Sequence, residues 1–229
     1  MQDEILMDYA AGTSSEPEAV FVAAHLALCP QCRRRIEELE EIGGAFLESV
    51  GPAECGEDAF DALMARIDAG DESSDEQSEG APITARAGPV LPGNLDDATA
   101  RIIPRPLRDY LDQPISALPW KSVMRGLDEV SVPIGEGDSK RKARLLRIRA
   151  GTQMPKHTHA GSEMTIVLSG SFSDERGAFG RGDVAIHDDD VDHQPVAGDE
   201  EDCLCFVVTD APLKLTGRFT RFLNPFVKF

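Results

Sequence analysis

Two short stretches hold most of the side chains able to bind a metal ion. The first, HLALCPQC, spaces His25, Cys29 and Cys32 by four and three residues. On a helix His25 and Cys29 share a face, and the corner forced by Pro30 lets Cys32 return to the same point. One imidazole and two thiolates then converge on a tetrahedral ion, for which zinc is the natural occupant. A structural zinc takes four ligands, so Cys55, Asp3, Asp8, water or a partner must supply the last. The second stretch, GTQMPKHTHAGSEMTIVLSG from Gly151, contains His157, His159 and Glu163. All three share parity, and on a continuing strand alternate side chains point the same way, into a barrel.

The first 80 residues must supply helices to carry the His-Cys-Cys corner. Ser15 and Glu18 have capping-box spacing around Pro17 and open the apolar run from Val20 to Leu28, so a helix is expected there with much of its surface buried. It must end near Pro30, which suits the first turn of a new helix. Further on, Ile36, Leu39, Ile42 and Phe46 recur at near-helical spacing, as do Phe60, Leu63, Met64 and Ile67. With one more helix around residues 5–10, the expected count is four. These stripes read first as internal core, with a groove for a partner helix as the alternative.

Charge is distributed unevenly. Of 41 acidic and 23 basic side chains, residues 1–80 hold 20 and four, a net charge of −16 in a chain of −18. Nucleic acid and anionic membrane surfaces are excluded as direct partners on this balance, and a basic protein is favoured. Residues 70–94, rich in Gly, Ser, Pro and acid, have the composition of a flexible linker. No apolar run of about 18 residues exists, and the N-terminus lacks a secretory pattern, so a cytoplasmic protein is expected. Five cysteines in such a chain point to metal or redox thiols rather than a disulfide framework.

The His25-x3-Cys29-x2-Cys32 corner after LMDYAAGTSSE resembles the zinc-binding anti-sigma domain of regulators of bacterial group-IV (extracytoplasmic-function, ECF) sigma factors. In that family a further His or Cys near the start of the first helix completes the zinc site, a place that falls here at or before Met1. Gly151-x5-His157-x-His159-x3-Glu163-x6-Gly170 is similar to the first signature of the cupin superfamily. GDVAIHDDDVDHQPVA resembles the second, with Gly182 and with His193 as the implied fourth ligand. Asp188, Asp190 and Ala197 stand where that family has Pro, Gly and Asn. His187 has no motif role and is read as a surface or outer-sphere histidine.

The combination resembles the ChrR-type anti-sigma factors. It implies two domains, an N-terminal all-α four-helix zinc domain and a C-terminal all-β cupin, a double-stranded β-helix barrel. The expected division is 1–80 helical, 81–105 linker and 106–229 cupin. The implied function is to hold a group-IV ECF sigma factor until singlet oxygen or a related oxidant, sensed through the cupin, triggers release, with no enzymatic activity. LPWKSVMRGLDEVSV, EEDCLCFVVTDAPL and the tail RFLNPFVKF share the likeness. The implied cofactors are Zn2+ at His25, Cys29 and Cys32, and Zn2+ or another divalent metal at His157, His159, Glu163 and His193. Such a site accepts Zn, Fe, Mn, Ni or Co, which leaves a cupin metal-dependent dioxygenase with a helical accessory domain as the alternative. Cys203 and Cys205 share one strand face, opposite Leu204, Phe206 and Val208, either as core packing or as an oxidisable pair.

Overall fold

The computed structural model describes residues 1–56, 58–68, 95–135, 141–188, 191–211 and 213–216. The acidic stretch 70–94, Asp190 and the tail 221–229 lie outside the described residues. Helices α1 (Asp3–Ala10), α2 (Glu16–Leu28), α3 (Pro30–Ser49) and α4 (Ala59–Asp68) are the four expected in the first 80 residues. The Glu18 carboxylate accepts from Ser15 N–H at 3.1 Å and from the Ser15 hydroxyl at 2.6 Å, which fixes the start of α2. Helix α2 stops at Leu28 because Pro30 has no N–H to continue it, and the same proline opens α3.

Two further helices follow, α5 (Asp97–Ile102) and α6 (Arg105–Arg108). Helix α5 falls inside 81–105, the span expected as linker, although beyond the stretch 70–94 whose composition suggested one. The Asp96 carboxylate caps it by accepting from Thr99 N–H at 2.8 Å, and buried Thr99 and Ile103 tie it to the core.

Eleven strands complete the described chain: β1 (Lys121–Met124), β2 (Leu127–Val132), β3 (Lys142–Ile148), β4 (His157–His159), β5 (Glu163–Ser169), β6 (Ser171–Asp174), β7 (Gly177–Gly180), β8 (Val184–His187), β9 (Val196–Ala197), β10 (Cys203–Thr209) and β11 (Leu213–Leu215). They form a six-stranded antiparallel sheet in the order β1-β2-β3-β10-β5-β8, a three-stranded sheet β7-β6-β9 and a pair β11-β4. Side-chain alternation splits the large sheet cleanly. Cys203, Cys205, Val207, Val167 and Ala185 fill the barrel with Met154 and Phe172, whereas Leu204, Phe206, Val208, Ile166 and Leu145 face outward.

The outward face is covered by helices. Val20 and Phe21 of α2 join Ile103, Leu107 and Leu111 on it, and the Phe21 and Phe206 ring centroids lie 6.0 Å apart. On its other side α2 sends Val22 into a second cluster with Leu6, Cys32 and Ile36. Burial on two faces explains why VFVAAHLAL is apolar almost throughout. The compact units therefore depart from the three-part division: Met1–Glu40 is continuous with Val90–Phe229, and Glu41–Pro89 forms the second unit.

The stripes of α3 and α4 depart from expectation as well. Ile36 is buried, but Ile42, Phe46, Phe60, Leu63, Met64 and Ile67 are exposed, so these positions are not internal core.

Phe21 is fully buried, and Phe21→Ala should cost about 3–5 kcal/mol. Urea denaturation reads this as a lowered midpoint. The exposed control Met7→Ala should stay within about 0.5 kcal/mol of the parent.

Candidate metal centres

The α2–α3 corner brings His25, Cys29 and Cys32 together, with one donor atom of each within 4.8 Å of the others. His25 Nε2 lies 3.2 Å from Cys32 Sγ. The other ring nitrogen, Nδ1, donates its proton to the Gly182 carbonyl at 3.0 Å, which leaves Nε2 as the free lone pair. Burial lowers the His25 pKa first, against the Gly182 carbonyl, so the ring is neutral and able to ligate. Burial raises the Cys29 thiol, but hydrogen bonds from the Cys32 backbone and side chain and the Gln31 backbone outweigh it, and the net direction is down. Cys32 is raised, by burial first and then by Cys29, so Cys29 ionises before its neighbour. One neutral imidazole and two thiols at this spacing fit zinc.

None of the three side chains anticipated as a fourth ligand, Asp3, Asp8 and Cys55, joins the set among the described residues. Asp3 is held by Arg35 at 2.7 Å, the Asp8 carboxylate faces the Thr13 hydroxyl at 3.4 Å, and Cys55 is exposed.

The barrel cluster is assembled from four elements. His157 and His159 lie on β4 and Glu163 opens β5. His193 is brought in by a pair of backbone hydrogen bonds with His157, each 3.0 Å long. His187 closes β8 directly opposite Glu163 in the sheet register. His157, His159 and His193 form one group with donor atoms within 4.8 Å, and Glu163, His187 and His193 form a second that shares His193. The two nitrogens His159 Nε2 and His193 Nε2 face each other at 3.1 Å.

Two residues here were not expected among the ligands: Asp174 was not singled out in the sequence, and His187 was read as a surface or outer-sphere histidine. His187 is 1% exposed and so is not a surface histidine, and the Asp174 side chain is entirely buried. Asp174 Oδ2 accepts from His187 Nε2–H at 3.1 Å and from His193 Nδ1–H at 3.3 Å. His157 Nδ1–H donates to the Pro155 carbonyl at 2.8 Å. These acceptors set the tautomers, turning the opposite nitrogens of His157 and His193 inward. The alternation of VAIH, with Ala185 in the barrel cluster and His187 two residues on, is the signal that could have found His187. Asp174 closes a strand in SFSDERG with nothing local to mark it.

Burial holds every ring neutral. His159 is lowered to about 4, by desolvation and then by His187. His193 is lowered to about 3, by desolvation and then by His157 and His187. Burial likewise lowers His157 and His187, and it raises Glu163 against the attraction of His157. His187 Nδ1 is buried with no hydrogen-bond partner among the described residues, and His159 Nδ1 has only the Glu163 carboxylate nearby, at 3.5 Å. Converging neutral imidazoles, a carboxylate and an orphaned nitrogen are the donor set of a divalent cation.

The cluster faces a cavity of about 320 Å3 walled by Leu146, Met154, Phe172, Cys205 and Val207. Cys203 and Cys205 have sulfurs 3.5 Å apart, and the Cys205 thiol is pushed up by Cys203 and by burial, so it stays protonated.

Residues 113–212 match the family model described as ChrR cupin-like domain, and residues 3–33 match one described as putative zinc-finger. Anti-sigma-E factor ChrR of Cereibacter sphaeroides is 34% identical over 228 residues, covering 100% of this chain and 97% of its own length. The crystal structure of Rhodobacter sphaeroides SigE in complex with the anti-sigma ChrR aligns with a TM-score of 0.71 at 33% identity, covering 92% of this chain and 97% of that one. An RmlC-like cupin protein from Ralstonia eutropha JMP134 is 19% identical with a TM-score of 0.40, covering 45% and 70%.

With all five histidines lowered, the folded metal-free chain binds fewer protons than the unfolded chain below pH 6.5. Stability present above the unfolded value of about 6.5 is therefore lost as pH falls toward about 4, with the raised Glu163 a single opposing group. In chelator, the urea midpoint should drop between pH 7.5 and pH 5. A midpoint that holds or rises would contradict neutral packing of the rings.

Proposed function

Because the chain belongs to the ChrR family of anti-sigma factors, we propose that it binds a group-IV (ECF) sigma factor, keeps it from RNA polymerase, and releases it when singlet oxygen or a related oxidant acts on the barrel. The observation that carries the binding half is the bare apolar face on the last turns of α3 and on α4. Phe46, Leu47, Val50, Phe60 and Ile67 are each more than 60% exposed. Large apolar side chains grouped in this way mark a surface that a partner covers, and helices set an amphipathic partner helix against such spacing. Acid surrounds it: the −16 of residues 1–80 complements the basic surface a sigma factor presents to promoter DNA and speeds encounter.

Inhibition by occlusion needs no chemical step. Zinc at His25, Cys29 and Cys32 would fix the α2–α3 corner, from which α3 projects. In the barrel, Zn2+ or another divalent metal would be held by His157, His159, Glu163 and His193, with Asp174 orienting His193. His187 faces the same cluster. Met154 lines the adjoining cavity, and its thioether can be oxidised to a sulfoxide, whereas the buried, protonated Cys205 thiol beside it is a poor target. The barrel is in this way suited to register an oxidant and the helices to hold the sigma factor.

Phe46→Glu and Leu63→Glu should leave folding within about 0.5 kcal/mol, since both side chains are exposed. They should weaken sigma binding by about 100-fold, near 2.7 kcal/mol, in titration calorimetry. Unchanged binding would remove the surface from the account. A His157→Ala/His159→Ala protein should still repress sigma-dependent transcription but respond poorly to singlet oxygen, and loss of repression in that variant would contradict the division of labour.

A further inference from the structure

We infer, given zinc at the helical corner as proposed above, that the Gly182 carbonyl of the barrel is the acceptor that orients the zinc ligand His25, so metal affinity at the corner depends on the barrel being docked against it. His25 is 4% exposed and donates Nδ1–H to Gly182 O at 3.0 Å across 157 positions of sequence. A ring nitrogen committed as a donor fixes both the tautomer and the plane of an imidazole, and here it aims Nε2 at the thiols. Thus the helices carry the donor set while the barrel supplies the acceptor behind it.

The position of that carbonyl is closely specified. Gly182 adopts φ +89°, and a Cβ there would lie 3.3 Å from Leu28 Cβ, so glycine lets the turn approach the end of α2. Gly182 N–H donates to Val167 O at 2.8 Å, and Val167 N–H donates to Asp183 O at 3.1 Å, pinning the turn to β5. Docking is reinforced around it by the Phe21–Phe206 contact and by a Glu18–Arg141 ion pair at 2.9 Å.

The turn leads directly into β8, whose last residue is His187 in the barrel cluster. Four residues, 183–186, roughly 16 Å of extended chain, therefore separate the acceptor for one candidate metal centre from a side chain of the other. Linkage is reciprocal: whatever docking adds to metal affinity at the corner, metal at the corner adds to docking.

The test uses the full chain with cobalt(II) as the probe, because thiolate-to-cobalt charge-transfer absorption reports Cys29 and Cys32. Gly182→Ala should weaken cobalt binding at least tenfold, the usual loss when an outer-sphere partner of a metal-bound histidine is disturbed. Gly177→Ala, also at positive φ but with nothing within 4 Å, should bind as the parent does. In a His25→Cys background, which keeps a ligand but has no ring to orient, Gly182→Ala should have no effect. Equal affinity of parent and Gly182→Ala would overturn the inference, and so would an equal loss in both backgrounds. A parent that shows no thiolate-to-cobalt absorption would instead take down the zinc reading itself. If Gly182→Ala fails to fold, 15N spectra of the His25 ring in the zinc-loaded parent decide: a protonated Nδ1 with metal on Nε2 is expected, and metal on Nδ1 would overturn it.

Discussion

Strand β10 has all seven side chains buried, and that constraint organises the molecule. A sheet with two apolar faces needs cover on both. One face closes over the barrel interior; the other is covered by α2, α5 and α6. Burying Phe21 and Val20 there contributes about 2–3 kcal/mol each from apolar area alone. Helix α2 is thereby committed to the barrel, and its C-terminal end is delivered to the Gly182 turn with His25 facing it.

Electrostatics sets the character of the two centres. Neither holds a charged histidine in the folded chain, because burial disfavours imidazolium more than the nearby carboxylates favour it. Asp174 differs from Glu163, which burial raises. It is lowered despite the burial that opposes ionisation, by the Arg176 N–H and by the two rings that donate to it. A buried anion that accepts from both His187 and His193 turns those rings without protonating them. The barrel cluster is thus held in the state a metal requires, which a ring of solvent-exposed histidines at neutral pH would not achieve so uniformly.

Much of this was legible because it is local. The Ser15–Glu18 cap and the corner at Pro30 are decided within a few residues, and the structure follows both; the shared parity of His157, His159 and Glu163 assumed one strand, but the chain leaves β4 at His159 and Glu163 opens β5 in another sheet. The barrel and the helices ahead of it were also expected, by resemblance. Docking was not legible, since the apolar run of α2 reads the same whether it buries against its own bundle or against a sheet more than 100 residues away. The stripes of α3 and α4 failed in the opposite sense: spacing shows that one face is apolar but not whether this chain covers it. Asp174 was missed because its partners, His187 and His193, come from other parts of the chain, at distances in sequence that no periodicity reveals, whereas the burial of His187 follows from the alternation of its own strand.

The most direct test of the account is amide hydrogen exchange on the full chain, alone and in complex with a group-IV sigma factor from the same organism. Strong protection on binding across residues 41–68, with the barrel strands unchanged, is the expected outcome and would locate the partner on the bare faces of α3 and α4. Protection confined to the barrel, with 41–68 exchanging as freely as before, would contradict the assignment of inhibition to the helices.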